Sequence, residues 1–259
     1  MNANGFMNGK LKHFFEYVSN AGFFRRGGNW GTPKKFKRYL DRLFTGVEVK
    51  EKRVLDVGAG VGVFSVYLAL RGAASVDALE PEQAGSQKEM ALGFRKMIDN
   101  LKILNVVLET KTFQQIMPTI RPYELLLLHN CINHFDEEAC AKLHFSLEAR
   151  NAYIDVFRSL NRIIKVGGQI LLADCSRHNF FDYLGLKNPF GPSINWKIHQ
   201  PPEIWMDLAL EAGFECQSLR WTTFSHFGNW SQLFLANRAA AFFLSSHFSM
   251  VLRKIRDVE

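Results

Sequence analysis

The chain has 259 residues, 47% of them hydrophobic, and a formal net charge of +7. That length suits one sizeable core, and the absence of low-complexity tracts argues against a disordered chain. The best candidate for a membrane span, residues 239–252, is interrupted by Ser245, Ser246, His247 and Ser249, so no stretch approaches the roughly 20 apolar residues that a crossing helix needs.

The opening Met1-Asn2-Ala3-Asn4-Gly5 lacks the basic-then-apolar layout of a secretory signal, which makes the cytoplasm the expected compartment. Cys131, Cys140, Cys175 and Cys216 form no CxxC pair and stand among apolar neighbours. They are expected to be buried free thiols, not a zinc site or a disulfide framework. The charge is localised: between Arg25 and Arg42, seven basic residues (Arg25, Arg26, Lys34, Lys35, Lys37, Arg38, Arg42) meet one acid, Asp41.

Residues 1–50 read as an N-terminal helical cap. Leu11, Phe14, Phe15 and Val18 recur at helical spacing and predict a helix over about 10–19. Gly22, Gly27, Gly28 and Gly31 loosen the chain around Trp30. Thr32 before Pro33 is a helix start, and Phe36, Tyr39, Leu40, Leu43 and Phe44 supply its apolar stripe. Lys34 and Lys35 oppose the helix dipole in its first turn; they suit either an anionic substrate or an ordinary solvated face.

From residue 51 onward the chain alternates strand and helix in the manner of a doubly wound α/β sheet. Strands are predicted over 54–57, 75–80, 105–108, 124–128, 169–173, 214–221 and 247–253. Helices are predicted over 83–100, as one long element over 136–164, and over 201–212. Leu125 to Leu128, without a polar break, is the pattern of a parallel strand covered on both faces. Residues 174–200, rich in aromatics and lacking any period, are expected to form a lid.

The most informative stretch is Asp56-Val57-Gly58-Ala59-Gly60-Val61-Gly62-Val63. A strand runs into a glycine turn ahead of a helix, an arrangement that offers bare backbone amides to an anionic or nucleotide ligand. Val63 stands where the dinucleotide fingerprint wants a third glycine, which disfavours a nicotinamide oxidoreductase, and no Gly-Lys-Ser/Thr follows for a Walker loop.

With Glu80 closing the next strand and Gly167-Gly168 leading into the fifth, the chain resembles the class I S-adenosylmethionine-dependent methyltransferases of small-molecule type. That resemblance implies a Rossmann-like, mostly parallel seven-stranded sheet and S-adenosyl-L-methionine as cofactor. It places Asp56, Gly58, Ala59, Gly60 and Gly62 against the amino-acid part of the cofactor and Glu80 on the ribose hydroxyls. Thr112 and Phe113 fall where the family meets the adenine, although a hydroxyl replaces the usual carboxylate and a plain loop fits equally well. His129 and Asn130 fall near the sulfonium.

His134 matches a histidine frequent in small-molecule members and could take a proton from a hydroxyl or amine; it could equally cap the following helix. Trp30, Asp174, His178 and His199 could contact the acceptor. No clustered carboxylates accompany Asp174, so no metal is expected.

The expected activity is methyl transfer to an oxygen or nitrogen of a small molecule, a metabolite or sugar-like precursor that can be anionic. Methylation of RNA or other nucleic acid through the basic cap is the alternative, although His129-Asn130-Cys131 lacks the Asn/Asp-Pro-Pro-Phe/Tyr motif of base methylation. A scaffold that kept the cofactor fold without turnover is a third reading. Oligomeric state is open.

Overall fold

The structure, a computed structural model, describes residues 3–20, 32–81, 88–116, 121–222 and 234–258. The predicted second helix begins where its caps demand: α2 spans Pro33–Leu43, the Thr32 hydroxyl accepts from Lys35 N at 3.3 Å, and Phe36, Tyr39, Leu40 and Leu43 are buried. The first helix, α1, is longer than its apolar stripe predicts, Ala3–Asn20.

The strands are β1 Arg53–Val57, β2 Ser75–Leu79, β3 Val106–Glu109, β4 Tyr123–His129, β5 Ile164–Cys175, β6 Phe214–Trp221 and β7 His247–Lys254. They form one seven-stranded sheet in the order β3-β2-β1-β4-β5-β7-β6. β1 pairs in parallel with β2, Leu55 opposite Asp77, and β2 pairs in parallel with β3. β7 runs antiparallel to both β5 and β6. The leucine run of β4 is buried throughout, at 0–1% exposure, which is why it carries no polar alternation.

The chain divides into two compact units: residues 1–117 with 125–127, and residues 118–124 with 128–259. The first unit contains α1, α2, β1–β3, α3 (Val63–Leu70) and α4 (Lys88–Leu101). Its core includes Phe14, Phe36, Leu55, Leu68 and Phe94, each fully buried.

The second unit contains α5 (Glu137–Lys142), α6 (Leu147–Ile163), α7 (Phe180–Tyr183), α8 (Pro202–Glu211), α9 (Arg238–Phe243) and β5–β7. The single helix expected over 136–164 is therefore two. Apolar periodicity continues across the break, but α5 ends at Lys142 and Ser146 starts α6 by accepting from Ala149 N at 3.2 Å, as Asp136 starts α5 by accepting from Ala139 N at 2.9 Å; local side-chain capping restarts the helix there.

Cys131, Cys140 and Cys175 are buried free thiols, whereas Cys216 is exposed. The expectation fails at Cys216 because its chain neighbours are Glu215 and Gln217, and all three face solvent on β6, the last strand of the sheet.

The 174–200 segment, expected to be a lid, is tied down by buried asparagines. Asn179 Nδ2 donates to Leu244 O (2.8 Å) and Ser246 Oγ (2.9 Å), and Asn188 Nδ2 donates to Leu244 O (2.6 Å) and Asn179 Oδ1 (3.1 Å). Such satisfied buried networks fix a loop in one conformation.

A buried lysine closes the far end of this unit. Lys254, 3% exposed, donates from Nζ to Asn161 O at 2.6 Å and Ile164 O at 2.8 Å and pairs with Asp257 at 2.7 Å. It thus satisfies carbonyls at the C-terminus of α6, the end where a cation belongs. Lys254→Met, similar in length but without donors, should lower stability by about 2–3 kcal/mol. A thermal midpoint within a degree or so of the parent would show that those carbonyls find other partners.

Candidate functional site

In the first unit the turn after β1 is held by its own backbone and by the next strand. Ala59 N donates to Leu79 O at 2.9 Å and Gly62 N to Ala59 O at 2.9 Å. Gly60 N donates to Glu80 Oε2 at 2.7 Å, joining the two features that the motif placed 20 residues apart.

The two later glycines do different work. A Cβ on Gly60 (φ +56°) would have no atom within 4 Å and would project into open space, whereas one on Gly62 (φ +77°) would lie 2.1 Å from the Phe94 ring. Gly60 faces space that no described residue fills. Gly62, the N-cap of α3, admits α4.

Asp56 is 1% exposed and accepts from Ser65 Oγ at 2.5 Å, so its carboxylate braces the end of β1 against α3. Burial holds its pKa up at about 7, the Ser65 hydroxyl pulls it down, and the Glu80 charge adds to the rise. Burial also raises Glu80, opposed by the Gly60 amide. Thr112 precedes a 3-10 turn, Phe113–Gln115, whose Gln115 side chain accepts from Thr112 N at 2.8 Å; Phe113 is buried.

The open space at Gly60 and a carboxylate one strand away, with one of its oxygens on Gly60 N, fit a cofactor carrying a ribose diol.

The second unit gathers ionisable groups where β4, β5 and β7 end or begin. His199 Nδ1 lies 2.9 Å from Asp174 Oδ1. Asp174 is fully buried, and its Oδ1 also accepts from Cys175 N at 2.8 Å. Its Oδ2 has no hydrogen-bond partner among the described residues, nor has Oε1 of the neighbouring buried Gln200. A carboxylate on Nδ1 fixes the neutral ring as the Nδ1–H tautomer and leaves Nε2 a free lone pair.

The His129 and His247 rings are tilted at 43° to one another, with centroids 6.0 Å apart. Burial and the neighbouring His247 push His129 down to about 3. Burial likewise lowers His247 to about 4, against the pull of Asp174. Both rings are neutral near pH 7.

Asn130 is exposed, takes a left-handed φ of 52°, a conformation asparagine tolerates, and donates its N–H to Ala173 O at 2.7 Å. His134 lies on the surface, its Nδ1 2.6 Å from Glu137 Oε1. His178 Nδ1 is 2.6 Å from the Tyr183 hydroxyl, with the rings stacked. Trp30 lies outside the described residues. Among those residues no group of three or more His, Cys, Asp or Glu could hold a metal ion, and no helix is long and apolar enough to cross a membrane.

Sequence reading missed Ser65, Phe94, His247 and Gln200. Ser65 and Phe94 look like ordinary helix residues, and His247 and Gln200 belong to no motif. Only Gln200 had a signal, its place directly before Pro201-Pro202.

A doubly wound sheet with a glycine turn and a strand-end acid defines a Rossmann-like α/β domain of the kind that binds nucleotide cofactors. A family model described as a methyltransferase domain matches residues 31–219, and the chain belongs to that family. It is an S-adenosylmethionine-dependent methyltransferase by that membership.

Solved structures share the fold at low identity. An S-adenosylmethionine-dependent methyltransferase from Mesorhizobium loti is 13% identical with a TM-score of 0.57, covering 82% of this chain and 95% of its own. The StiE O-MT segment is 12% identical with a TM-score of 0.59, over 92% and 82%. The [4+2]-cyclase SpnF is also 12% identical, TM-score 0.54, over 84% and 80%. Likeness at this level speaks for fold alone. No curated protein sequence matches the chain.

Proposed function

We propose that this chain transfers a methyl group to an oxygen or nitrogen of a small-molecule acceptor, with the acceptor's proton passing to His199 Nε2. The observation that supports this most is the buried Asp174–His199 pair, 2.9 Å between Nδ1 and Oδ1. An imidazole oriented at Nδ1 by a carboxylate suits an acceptor that must lose a proton as it is methylated, as a hydroxyl or amine does. The unpartnered Asp174 Oδ2 and Gln200 Oε1 favour a guest that brings O–H or N–H donors.

When bound, S-adenosylmethionine supplies a methyl group on a sulfonium and leaves as the neutral thioether. Glu80, one of whose oxygens is on Gly60 N, would hold the ribose hydroxyls, and the Gly58-Ala59-Gly60-Val61-Gly62 turn would hold the amino-acid part. Asp56 positions that turn through Ser65. Thr112 and Phe113 would meet the adenine, and His129 and Asn130 would neighbour the cofactor. Asp174, His178 and Trp30 would contact the acceptor. His134 would have to act from an exposed position already paired to Glu137, so His199 takes the base role here.

A reading as a nucleic-acid methyltransferase draws on the seven basic residues between Arg25 and Arg42. It requires oligonucleotide binding that weakens steeply with salt.

Calorimetry with S-adenosylmethionine, followed by transfer of its labelled methyl group onto a panel of hydroxyl and amine compounds, tests the proposal. Glu80→Gln should weaken cofactor binding by about ten- to a hundredfold through loss of charge-assisted bonds. Equal affinity in the variant would remove Glu80 from the site, and a panel without one methylated member would remove the acceptor class.

A further inference from the structure

We infer that Arg177, with His144 and His178 beside it, recognises an anionic oxygen group, carboxylate or phosphate, on the methyl acceptor. This rests on the reading of the Asp174–His199 pair as the place where the acceptor is deprotonated.

Arg177 stands on the segment leaving β5, three residues after Asp174, and is half-buried. Its Nη1 lies 2.7 Å from His144 Nδ1, a contact that requires the imidazole to be neutral and to accept. Burial and the guanidinium itself push His144 down, which is consistent with that state.

Elsewhere in this unit arginines meet acids: Arg150 meets Glu211, Arg158 meets Asp155 at 3.1 Å and Arg238 meets Glu203 at 2.8 Å. Among the described residues no carboxylate pairs with Arg177. A guanidinium resting on an uncharged ring keeps its full charge and most of its planar fork of donors, which matches carboxylate and phosphate geometry.

The same guanidinium lies near the proposed chemistry. The Cys140 thiol feels the charges of both Asp174 and Arg177, and its Sγ donates to Ile198 O at 2.9 Å, one residue before His199. An acceptor presenting its hydroxyl or amine to His199 would carry its acidic group toward Arg177 on the segment that leaves β5 after Asp174. His178 follows Arg177 in the chain and feels its charge too, so its ring reports on the same spot.

Titration of the full chain with inorganic phosphate and, separately, acetate, followed through ring-labelled His144 and His178 in NMR spectra, tests the site without needing turnover. Either anion should shift both rings, Arg177→Lys should weaken the response, and Arg177→Gln should abolish it while the thermal midpoint holds. Comparison of the two anions separates phosphate from carboxylate recognition. Absence of any shift in the parent, or an undiminished shift in Arg177→Gln, overturns the inference.

With a methylated acceptor in hand, a carboxylate compound and its carboxamide form a matched pair. Arg177→Gln should raise KM for the carboxylate by about ten- to a hundredfold, with kcat held and the carboxamide unaffected. If the variant treats both alike, the anion site is lost and the methyltransferase reading stands. If the titration behaves as expected but no acceptor of any kind is methylated, the anion site stands and the acceptor reading is lost.

Discussion

Gly62→Ala should destabilise the fold by about 3 kcal/mol, while Gly60→Ala should leave it largely intact and lose the cofactor. At Gly62 two costs add. A side chain at φ +77° strains the backbone, and its Cβ would sit 2.1 Å from the ring of Phe94, which is fully buried and has nowhere to go. Left-handed strain contributes about 1–2 kcal/mol and overpacking about 1–3 kcal/mol. For a chain of this size that is a fall of about 6–12 °C in thermal midpoint.

At Gly60 only the strain applies, because the new methyl meets no protein atom within 4 Å. It would project instead into the space assigned to the cofactor, so binding should fall at least about tenfold, the penalty of about 1.4 kcal/mol or more expected from a close steric contact. Thermal unfolding and calorimetry on the two variants provide the check. If both lose stability alike, or if Gly60→Ala binds S-adenosylmethionine normally, the division of labour between the glycines is wrong.

His199→Ala should reduce kcat by about a hundredfold or more, the usual contribution of a positioned general base, with cofactor affinity unchanged. Asp174→Asn should act in the same direction by loosening control of the tautomer. Imidazole added to His199→Ala should restore part of the rate, a response that a purely structural histidine would not give. His134→Ala should stay within about twofold of the parent, since surface substitutions away from the chemistry are close to neutral. A His199→Ala enzyme as fast as the parent would return the base role to other groups or to none, for methyl transfer to an already nucleophilic acceptor can run on alignment alone.

Periodicity and turn chemistry carried far along this chain. Thr32-Pro33 predicted the start of α2, and the unbroken leucines of β4 predicted a strand covered on both faces; both are found. These are local effects, settled within a turn of helix or a single strand. The helix over 136–164 failed for a reason equally local: the first helix ends at Lys142, and a serine at position 146 that looked like one more polar residue caps a second one.

The glycine turn and Glu80 were legible as a pair because each follows its strand and parallel pairing brings neighbouring strand ends together. Their hydrogen bond, Gly60 N to Glu80 Oε2, is the physical form of that pairing. The histidines were not legible in this way. His129, His199 and His247 come from three distant stretches, and nothing near any one of them marks its neighbours.

Strand type, order of elements and the cofactor motif could be read from residues alone because they depend on contacts between near neighbours in the chain and on conformations that glycine and proline dictate. The partnership of Asp174 with His199 spans 25 residues and the approach of Phe94 to Gly62 spans a helix and a strand. Folding alone decided those, because a side chain's partner across the core is chosen by how elements pack, which no short window of sequence records.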